Sequence, residues 1–223
     1  MGTSGNQRVH LVWDWNGTLL DDIDAVIAAT NAAFTEIGLS AITLEQYRET
    51  YCVPIPRFYE RLLGRLPTDA EWERMDGVFQ DRYAEHRVVC GLTAGAEELL
   101  ARWRLAGRSQ SLLSMHGHEQ LLPLVRGYGI DRHFTRVEGR TGPSGGSKAE
   151  HMVRHLAALD GVSPERTVVI GDAVDDAVAA AYVGARAVLY TGGSHSRTSL
   201  ETAGVPVVDS LAEAAALAER MTA

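Results

Sequence analysis

Asp14 is a carboxylate that directly follows a short apolar run, in a position where it could do chemistry. The run, residues 9–13, is rich in β-branched and aromatic residues and too short for a helix, which predicts a strand buried on both faces. Asn16 and Gly17 form a turn signal just beyond it. Ligands of open α/β sheets bind at this end of the strands. The pattern therefore predicts a carboxylate at a buried strand tip, followed by a loop whose backbone can curl around an anion.

A second set of carboxylates, Asp172, Asp175 and Asp176, follows the apolar run of residues 168–170. Carboxylates this close raise each other's pKa unless a cation lies among them. Hard oxygen ligands at a strand tip, partly open to water, suit Mg²⁺. The alternative is that the acids merely complement the dipole of a helix N-terminus, which explains Asp175 better than Asp172.

Lys148 is the single lysine of a chain whose 21 basic residues are otherwise all arginine. The pattern Ser147-x-x-Glu150 is typical of a capping box, so Lys148 lies at a predicted helix start. The helix dipole disfavours a cation there by roughly a few tenths of a kcal/mol. An anionic partner explains such a lysine better than a solvated surface position, and a compact ammonium is not interchangeable with a planar guanidinium.

Ser114 ends a further apolar run and is followed by Met115 and His116. A hydroxyl and backbone N–H groups at a helix N-terminus can hold a phosphoryl oxygen. A serine in this place is also a common helix cap. His116 and His118 are interpreted as exposed loop residues rather than ligands.

The elements that must position these groups alternate in type after residue 92. Four apolar runs predict strands at residues 109–114, 134–137, 167–170 and 187–190. Helical stretches between them predict a parallel sheet with right-handed crossovers, which the strand before Asp14 must join. Pro206 within the run 205–208 predicts a strand at the edge of the sheet.

The stretch between the first strand and this alternating region is predicted to be helical and without strands. Asp21 and Asp22 can cap the first helix, and capping boxes begin at Thr43 and Thr68. A helical block inserted after one strand indicates a small separate domain. The predicted domains are an α/β core over residues 1–20 and 92–223 and an α-helical cap over residues 21–91.

Composition excludes several other classes of protein. A chain of 223 residues with 45% apolar residues can form a sizeable core, and a net charge of −8 argues against a nucleic-acid or anionic-membrane surface. The two cysteines suggest neither a disulfide framework nor a metal site. No run is long enough to cross a bilayer, and the N-terminus lacks signal-peptide character. We expect a cytoplasmic monomer or homodimer.

The segment Asp14-Trp15-Asn16-Gly17-Thr18 resembles the first motif, Asp-x-Asp-Gly-Thr, of the haloacid dehalogenase superfamily. The second, third and fourth motifs of that family are matched, in order, by Ser114, Lys148 and the pair Asp172 and Asp176. The resemblance covers residues 9–210, and the helical insertion is similar to the α-helical (C1) cap class, which includes phosphoglycolate phosphatase. It implies a Rossmann-like α/β fold with a parallel sheet of order 5-4-1-2-3 and an inserted helical cap.

The resemblance also implies a mechanism: a Mg²⁺-dependent phosphohydrolase acting on a small phosphorylated metabolite. Asp14 matches the nucleophile that forms an aspartyl phosphate. The implied Mg²⁺ ligands are Asp14, the main-chain carbonyl of Asn16, Asp172 and Asp176. The implied phosphate-binding residues are Thr18, Ser114, Met115 and Lys148.

Asn16 departs from the family pattern, which has an Asp there as general acid/base. An amide cannot exchange a proton catalytically, and such help is typically worth ~10²–10⁴-fold in rate. The enzyme could be slow on alkyl phosphates, could use acyl or aryl phosphates that need no proton, or could take an acid from the cap. Asn16 could also be an engineered replacement. The alternative function is a catalytically silent protein that binds phosphate esters.

Substrate choice is predicted to lie with the cap, where Arg57 would contact the leaving group with Tyr51 nearby. The alternative for Arg57 is an ordinary helix-surface position. The predicted cap contains no lysine, which disfavours the Schiff-base chemistry of the related phosphonatases. The metal-site acids Asp172 and Asp176 disfavour the metal-independent dehalogenases.

Overall fold

A six-stranded parallel sheet forms the centre of the computed structural model, which describes residues 9–142 and 147–221. The strands are β1 (His10–Trp13), β4 (Gln110–Gly117), β5 (Val137–Arg140), β6 (Thr167–Gly171), β7 (Arg186–Tyr190) and β8 (Val207–Val208). Their order is β5-β4-β1-β6-β7-β8. The predicted 5-4-1-2-3 order of the first five sheet strands along the chain is therefore confirmed, with β8 added at the edge.

The two faces of the sheet are covered by different helices. These are α5 (Ala96–Leu105), α6 (His118–Gly127), α7 (Lys148–Ala157), α8 (Val174–Val183), α9 (Arg197–Glu201) and α10 (Leu211–Met221). Side chains alternate along a strand, so Leu11 and Trp13 of β1 join one buried cluster while Val12 joins the other. Burial on both faces explains why β1 is an almost uninterrupted apolar run.

Four helices fill the stretch between β1 and β4. They are α1 (Ile23–Glu36), α2 (Leu44–Thr50), α3 (Ile55–Leu63) and α4 (Asp69–Arg87). They bury their own cluster, centred on Phe34, Phe58 and Met75. The capping boxes at Thr43 and Thr68 are both present. The proposed division into a core and a cap stays a prediction.

Short elements were missed or misplaced. Two-residue strands β2 (Leu20–Asp21) and β3 (Gly91–Leu92) pair antiparallel where strands were not predicted, because two residues carry no readable periodicity. The third predicted strand, 134–137, begins three residues later, at Val137.

Two of the predicted helix caps are wrong. Asp22 precedes α1 without capping it. Ser147 accepts a hydrogen bond from the N–H of Ala149, so the capping box predicted with Glu150 does not form. Within the described residues, no helix combines the length and the apolar character needed to cross a bilayer.

His10 is a buried polar residue at the start of β1, and we expect it to make the stability of the fold sensitive to acid. Its ring nitrogens lie 2.8 Å from the hydroxyl oxygens of Ser109 and Ser111. Burial, and then the nearby His155, lowers the pKa of His10 to about 4. The unfolded chain therefore binds a proton near pH 6.5, whereas the folded chain does so only near pH 4. Stability contributed by the neutral ring is lost as pH falls through this window.

We expect His10→Gln to flatten the decline in unfolding free energy between pH 6.5 and 4.5, by on the order of 1–3 kcal/mol. Urea unfolding at a series of pH values measures this. The matched control is His86→Gln, because His86 is exposed on α4 and should leave the pH dependence unchanged. If the unfolding free energies of wild type and His10→Gln fall equally with pH, the lowered pKa of His10 is contradicted.

Candidate active site

The central strands β1 and β6 are neighbours, so their carboxyl ends deliver Asp14 and Asp172 to the same edge of the sheet. Asp176 comes from the first turn of α8. One carboxylate oxygen from each of these three residues lies within 4.8 Å of the other two, and all three residues are buried. Such a set of hard oxygen donors fits a divalent cation such as Mg²⁺.

Lys148 supplies a compensating positive charge. It is 4% exposed at the start of α7, and its ammonium donates hydrogen bonds to the carboxylates of Asp14 and Asp176. Burial alone would lower the pKa of Lys148, but Asp14 and Asp176 raise it above its usual range, so the ammonium keeps its charge. Lys148 thus joins the end of the strand that carries Asp14 to the helix that carries Asp176 through hydrogen bonds to both carboxylates.

The three carboxylates outnumber this one cation, and the pKa values of two of them, Asp14 and Asp172, are raised. Burial raises the pKa of Asp14 to about 7, although Lys148 opposes the shift. Burial and the neighbouring acids Asp14 and Asp176 raise the pKa of Asp172 well above its usual range. A bound divalent cation would relieve this repulsion, which is the physical reason to expect one here.

Asp172 is held by groups that sequence reasoning did not identify. The N–H of Ser194 donates to its Oδ2 atom at 2.7 Å. A Cβ atom on Gly193 would lie 2.0 Å from the same oxygen, so only glycine fits there. Thr18 donates from its hydroxyl to Oδ1 of Asp172 at 3.3 Å and does not line the cavity. The Thr18 hydroxyl thus contacts an acid of the cluster, and its expected contact with a phosphoryl oxygen stays a prediction.

Asn16 is fixed by a buried network. Its Nδ2 atom donates to Oδ2 of Asp22 at 2.7 Å and to the hydroxyl oxygen of Tyr83 at 2.6 Å. Tyr83, from α4, donates in turn to Oδ2 of Asp22 at 2.5 Å, and the N–H of Gly17 donates to Oδ1 at 2.7 Å. These bonds explain why Asp22 does not cap α1. Burial raises the pKa of Asp22, and the hydrogen bonds from Tyr83, Asn16 and Gly17 oppose that rise.

A cavity of about 670 Å³ opens between these groups and the helices α1–α4. Of the predicted site residues, the following line it: Asp14, Asn16, Tyr51, Ser114, Met115, Lys148, Asp172 and Asp176. The Ser114 hydroxyl oxygen accepts a hydrogen bond from the N–H of His116 at 3.0 Å.

Arg57 does not reach this cavity. Its guanidinium is exposed and pairs with Glu60 at 2.5 Å, one helical turn away. This geometry favours the alternative of a helix-surface ion pair, and the contact between Arg57 and a leaving group stays a prediction.

His116 and His118 are not the exposed loop residues that were expected. His116 lies in β4 and lines the cavity, and burial, then Arg87 and Arg140, lowers its pKa to about 4. His118 begins α6 and accepts a hydrogen bond from the N–H of Gly139 at 3.0 Å. His116 is thus a neighbour of the site, whereas His118 contacts the backbone of β5, and no periodic pattern in the sequence indicates either position.

Comparison with known proteins identifies the family. The sequence model of the haloacid dehalogenase-like hydrolases matches residues 10–184, most of the chain. The chain belongs to the haloacid dehalogenase-like hydrolase family. The motifs of that family noted in the sequence are the residues that surround the cavity described above, with Thr18 just behind it.

Similar proteins carry the names of different phosphate-releasing enzymes. Phosphoglycolate phosphatase of Synechococcus elongatus is 25% identical over 195 residues, covering 86% of this chain and 88% of the relative. A 5′-nucleotidase of Pseudomonas aeruginosa is 23% identical over 176 residues, 77% of either chain. A haloacid dehalogenase-like hydrolase from Streptococcus pneumoniae shares the fold, with a TM-score of 0.80 at 16% identity, covering 96% of this chain and 99% of that one.

Proposed function

We propose that this protein is a phosphoric monoester hydrolase in which Asp14 is the nucleophile and Mg²⁺ the cofactor. The observation that carries the proposal is the buried cluster of Asp14, Asp172 and Asp176 with Lys148 on the wall of one cavity. Relatives named phosphoglycolate phosphatase and 5′-nucleotidase support it. The substrate would be a small phosphorylated metabolite.

Asp14 would act in two steps. A carboxylate oxygen of Asp14 forms a bond to phosphorus as the ester P–O bond breaks, and the leaving oxygen keeps the electron pair. Water then attacks phosphorus of the aspartyl phosphate, which releases phosphate and restores the carboxylate. Lys148 stabilises the negative charge that develops on the transferring group, and Ser114 with the backbone of Met115 orients its oxygens.

The proposed Mg²⁺ ligands are Asp14, the main-chain carbonyl of Asn16, Asp172 and Asp176. Their carboxylates crowd together without enough positive charge from the protein itself, so they fit a divalent cation. When bound, the ion would neutralise charge on the phosphoryl oxygens as a Lewis acid.

Phosphate release from 4-nitrophenyl phosphate, with Mg²⁺ and then with a chelator, tests this function. We expect release that requires the metal, and a covalent phosphate on Asp14 that rapid quenching and mass spectrometry detect. The second candidate, a silent binding protein, is favoured by the full engagement of the Asn16 amide with Asp22 and Tyr83. It predicts calorimetric binding of phosphate esters without release.

The network around Asn16 determines how a missing proton donor could be restored. Asn16→Asp alone would put two carboxylates where Asn16 and Asp22 now lie 2.7 Å apart, and such pairs share one proton. We expect no gain from this variant. The double variant Asn16→Asp/Asp22→Asn exchanges the two groups and should raise kcat on an alkyl phosphate by about 10²-fold.

The same double variant should change kcat on 4-nitrophenyl phosphate little, because that leaving group departs without a proton. Asp22→Asn alone is the control and should give no gain on either substrate. Equal activity of the single and double variants on the alkyl phosphate would show that the contact with Asp22 does not govern residue 16.

A further inference from the structure

The half of the cavity that faces Asp14 is built from the helical segment, which we define as helices α1–α4 with their connections, residues 23–87. Aromatic rings dominate this half. The rings that line it include Tyr47, Tyr51, Phe58, Tyr59, Trp72 and Phe79. Tyr47 stacks on Tyr51 with ring centroids 5.0 Å apart, and Tyr51 and Phe58 lie 5.7 Å apart in a tilted arrangement. These contacts give the wall a fixed shape before any ligand binds. A flat aromatic ligand is the chemistry that such a wall recognises best.

This wall contains no cation. Among the lining residues between Val26 and Tyr83, none is Lys, Arg or His, and the one charged side chain is that of Asp76. The positive groups that line the cavity come from outside helices α1–α4: Lys148 donates to Asp14, and Arg140 lies at the end of β5. A leaving group that carries a carboxylate or a second phosphate would therefore meet apolar rings and an acid, which makes its burial unfavourable.

Nearby arginines of the helical segment are engaged elsewhere. Arg48 donates from Nε and Nη2 to the carbonyl oxygens of Gly193 and Gly192, each at 2.9 Å. Arg57 pairs with Glu60 outside the cavity. Neither guanidinium is placed to receive an anionic leaving group.

Around residue 16, where the family pattern has its general acid, the leaving oxygen finds no ready proton either. Asn16 offers only an amide, and the Tyr83 hydroxyl already donates to Asp22. A phenolic oxygen, unlike an aliphatic one, departs readily as an anion. The aromatic wall and the missing acid are independent observations, and both indicate the same leaving group.

We propose that the substrate is an aryl phosphate monoester whose aromatic leaving group carries no negative charge and packs against the rings of α2, α3 and α4. This rests on the proposed hydrolase function. It sets the chain apart from relatives named for phosphoglycolate, whose leaving group is a short anionic acid.

The first test compares kcat/KM for 1-naphthyl phosphate, phenyl phosphate and phosphoglycolate under Mg²⁺. We expect the two aryl esters to exceed phosphoglycolate by at least about 10²-fold, the naphthyl ester having the lowest KM. Phosphoglycolate turned over as efficiently as the aryl esters would overturn the inference while leaving the hydrolase function intact. No phosphate release from any of the three would instead refute the hydrolase function itself.

The second test places a cation in the wall. Val53 lines the cavity and is 50% exposed, so Val53→Lys should fold normally. We expect KM for 1-naphthyl phosphate to rise about tenfold and KM for phosphoglycolate to fall. The control is Val88→Lys, at a valine that is 80% exposed and outside the cavity, which should change neither value. If Val53→Lys leaves the KM for each ester the same as in wild type, the proposed position of the aromatic leaving group is contradicted.

A third test measures leaving-group dependence. Across phenyl phosphates whose phenols become steadily more acidic, kcat/KM should rise, because no protein group protonates the departing oxygen. A flat dependence in a regime where chemistry limits the rate would show that a proton donor is present, and would remove one of the two supports of the proposal.

Discussion

Replacing Asp14 by Asn is expected to abolish phosphate release, by about 10⁴-fold or more, and at the same time to stabilise the metal-free protein. Turnover is lost because the amide cannot form the covalent bond to phosphorus. Stability rises because burial holds the pKa of Asp14 near 7, so its ionised form is unfavourable in the folded chain. Activity and stability should therefore move in opposite directions at this position.

The sign of the stability effect can be checked by pH. Between the unfolded pKa near 4 and the folded value of about 7, the folded state binds more protons at Asp14, so wild-type stability falls as pH rises. The melting temperature of Asp14→Asn should exceed that of wild type by at least about 3 °C at pH 8 in chelator, and the difference should vanish near pH 4. Mg²⁺ should reduce the difference in melting temperature between Asp14→Asn and wild type at pH 8.

Asp175→Asn is the matched control for this experiment. Asp175 is the neighbour of Asp176 on α8 but does not belong to the cluster with Asp14 and Asp172. We expect it to retain turnover within several-fold of wild type. An Asp14→Asn protein that still forms a covalent phosphate would refute the nucleophile assignment.

Replacing Lys148 is expected to damage both turnover and folding. Lys148→Met leaves Asp14 and Asp176 without their buried cation, and breaking a buried ion pair typically costs about 3–5 kcal/mol. The metal-free melting temperature should fall by roughly 10 °C. Turnover should fall about 10³-fold, because the developing charge on the phosphoryl group loses a preorganised cation.

Lys148→Arg is the sharper version of the same experiment. It keeps the charge but replaces a compact ammonium, held between two carboxylates, by a larger planar group. We expect a loss of turnover of about 10²-fold or more with a smaller loss of stability than in Lys148→Met. Arg154→Met, at an exposed position on the same helix, controls for the loss of a cation on α7. Full activity in Lys148→Arg would show that only net charge matters there.

The sequence was informative wherever a residue follows a strongly patterned element. Asp14 and Asp172 could be placed because the apolar strands before them are buried on both faces, and parallel strands bring such tips to one edge. Lys148 could be placed because a lone lysine at a helix start required an anionic partner. The inferences on Asp14 and Asp172 combine a local pattern with a general rule of sheet geometry, and the inference on Lys148 combines composition with the helix dipole.

Contacts between the core and the helical segment could not be predicted in this way. Asp22 was predicted to cap a helix, yet it meets Tyr83 of α4 at Asn16. Which face of α3 turns towards the cavity depends on packing, so the exposed position of Arg57 could not be predicted from the sequence. The contact of the Thr18 hydroxyl with Asp172 joins residues 154 positions apart and likewise could not be predicted.

The ladder between β2 and β3 has a mechanical consequence. Both passages of the chain to and from helices α1–α4 run through it, side by side, and Thr93 fastens its base by donating to the carbonyl oxygens of Leu19 and Thr18 at 2.9 and 2.6 Å. We expect any change in the orientation of helices α1–α4 to twist this two-stranded ladder. The ladder adjoins the turn that carries Asn16. Because this turn directly follows Asp14, we expect a change in the orientation of the helices to be transmitted to the backbone beside Asp14.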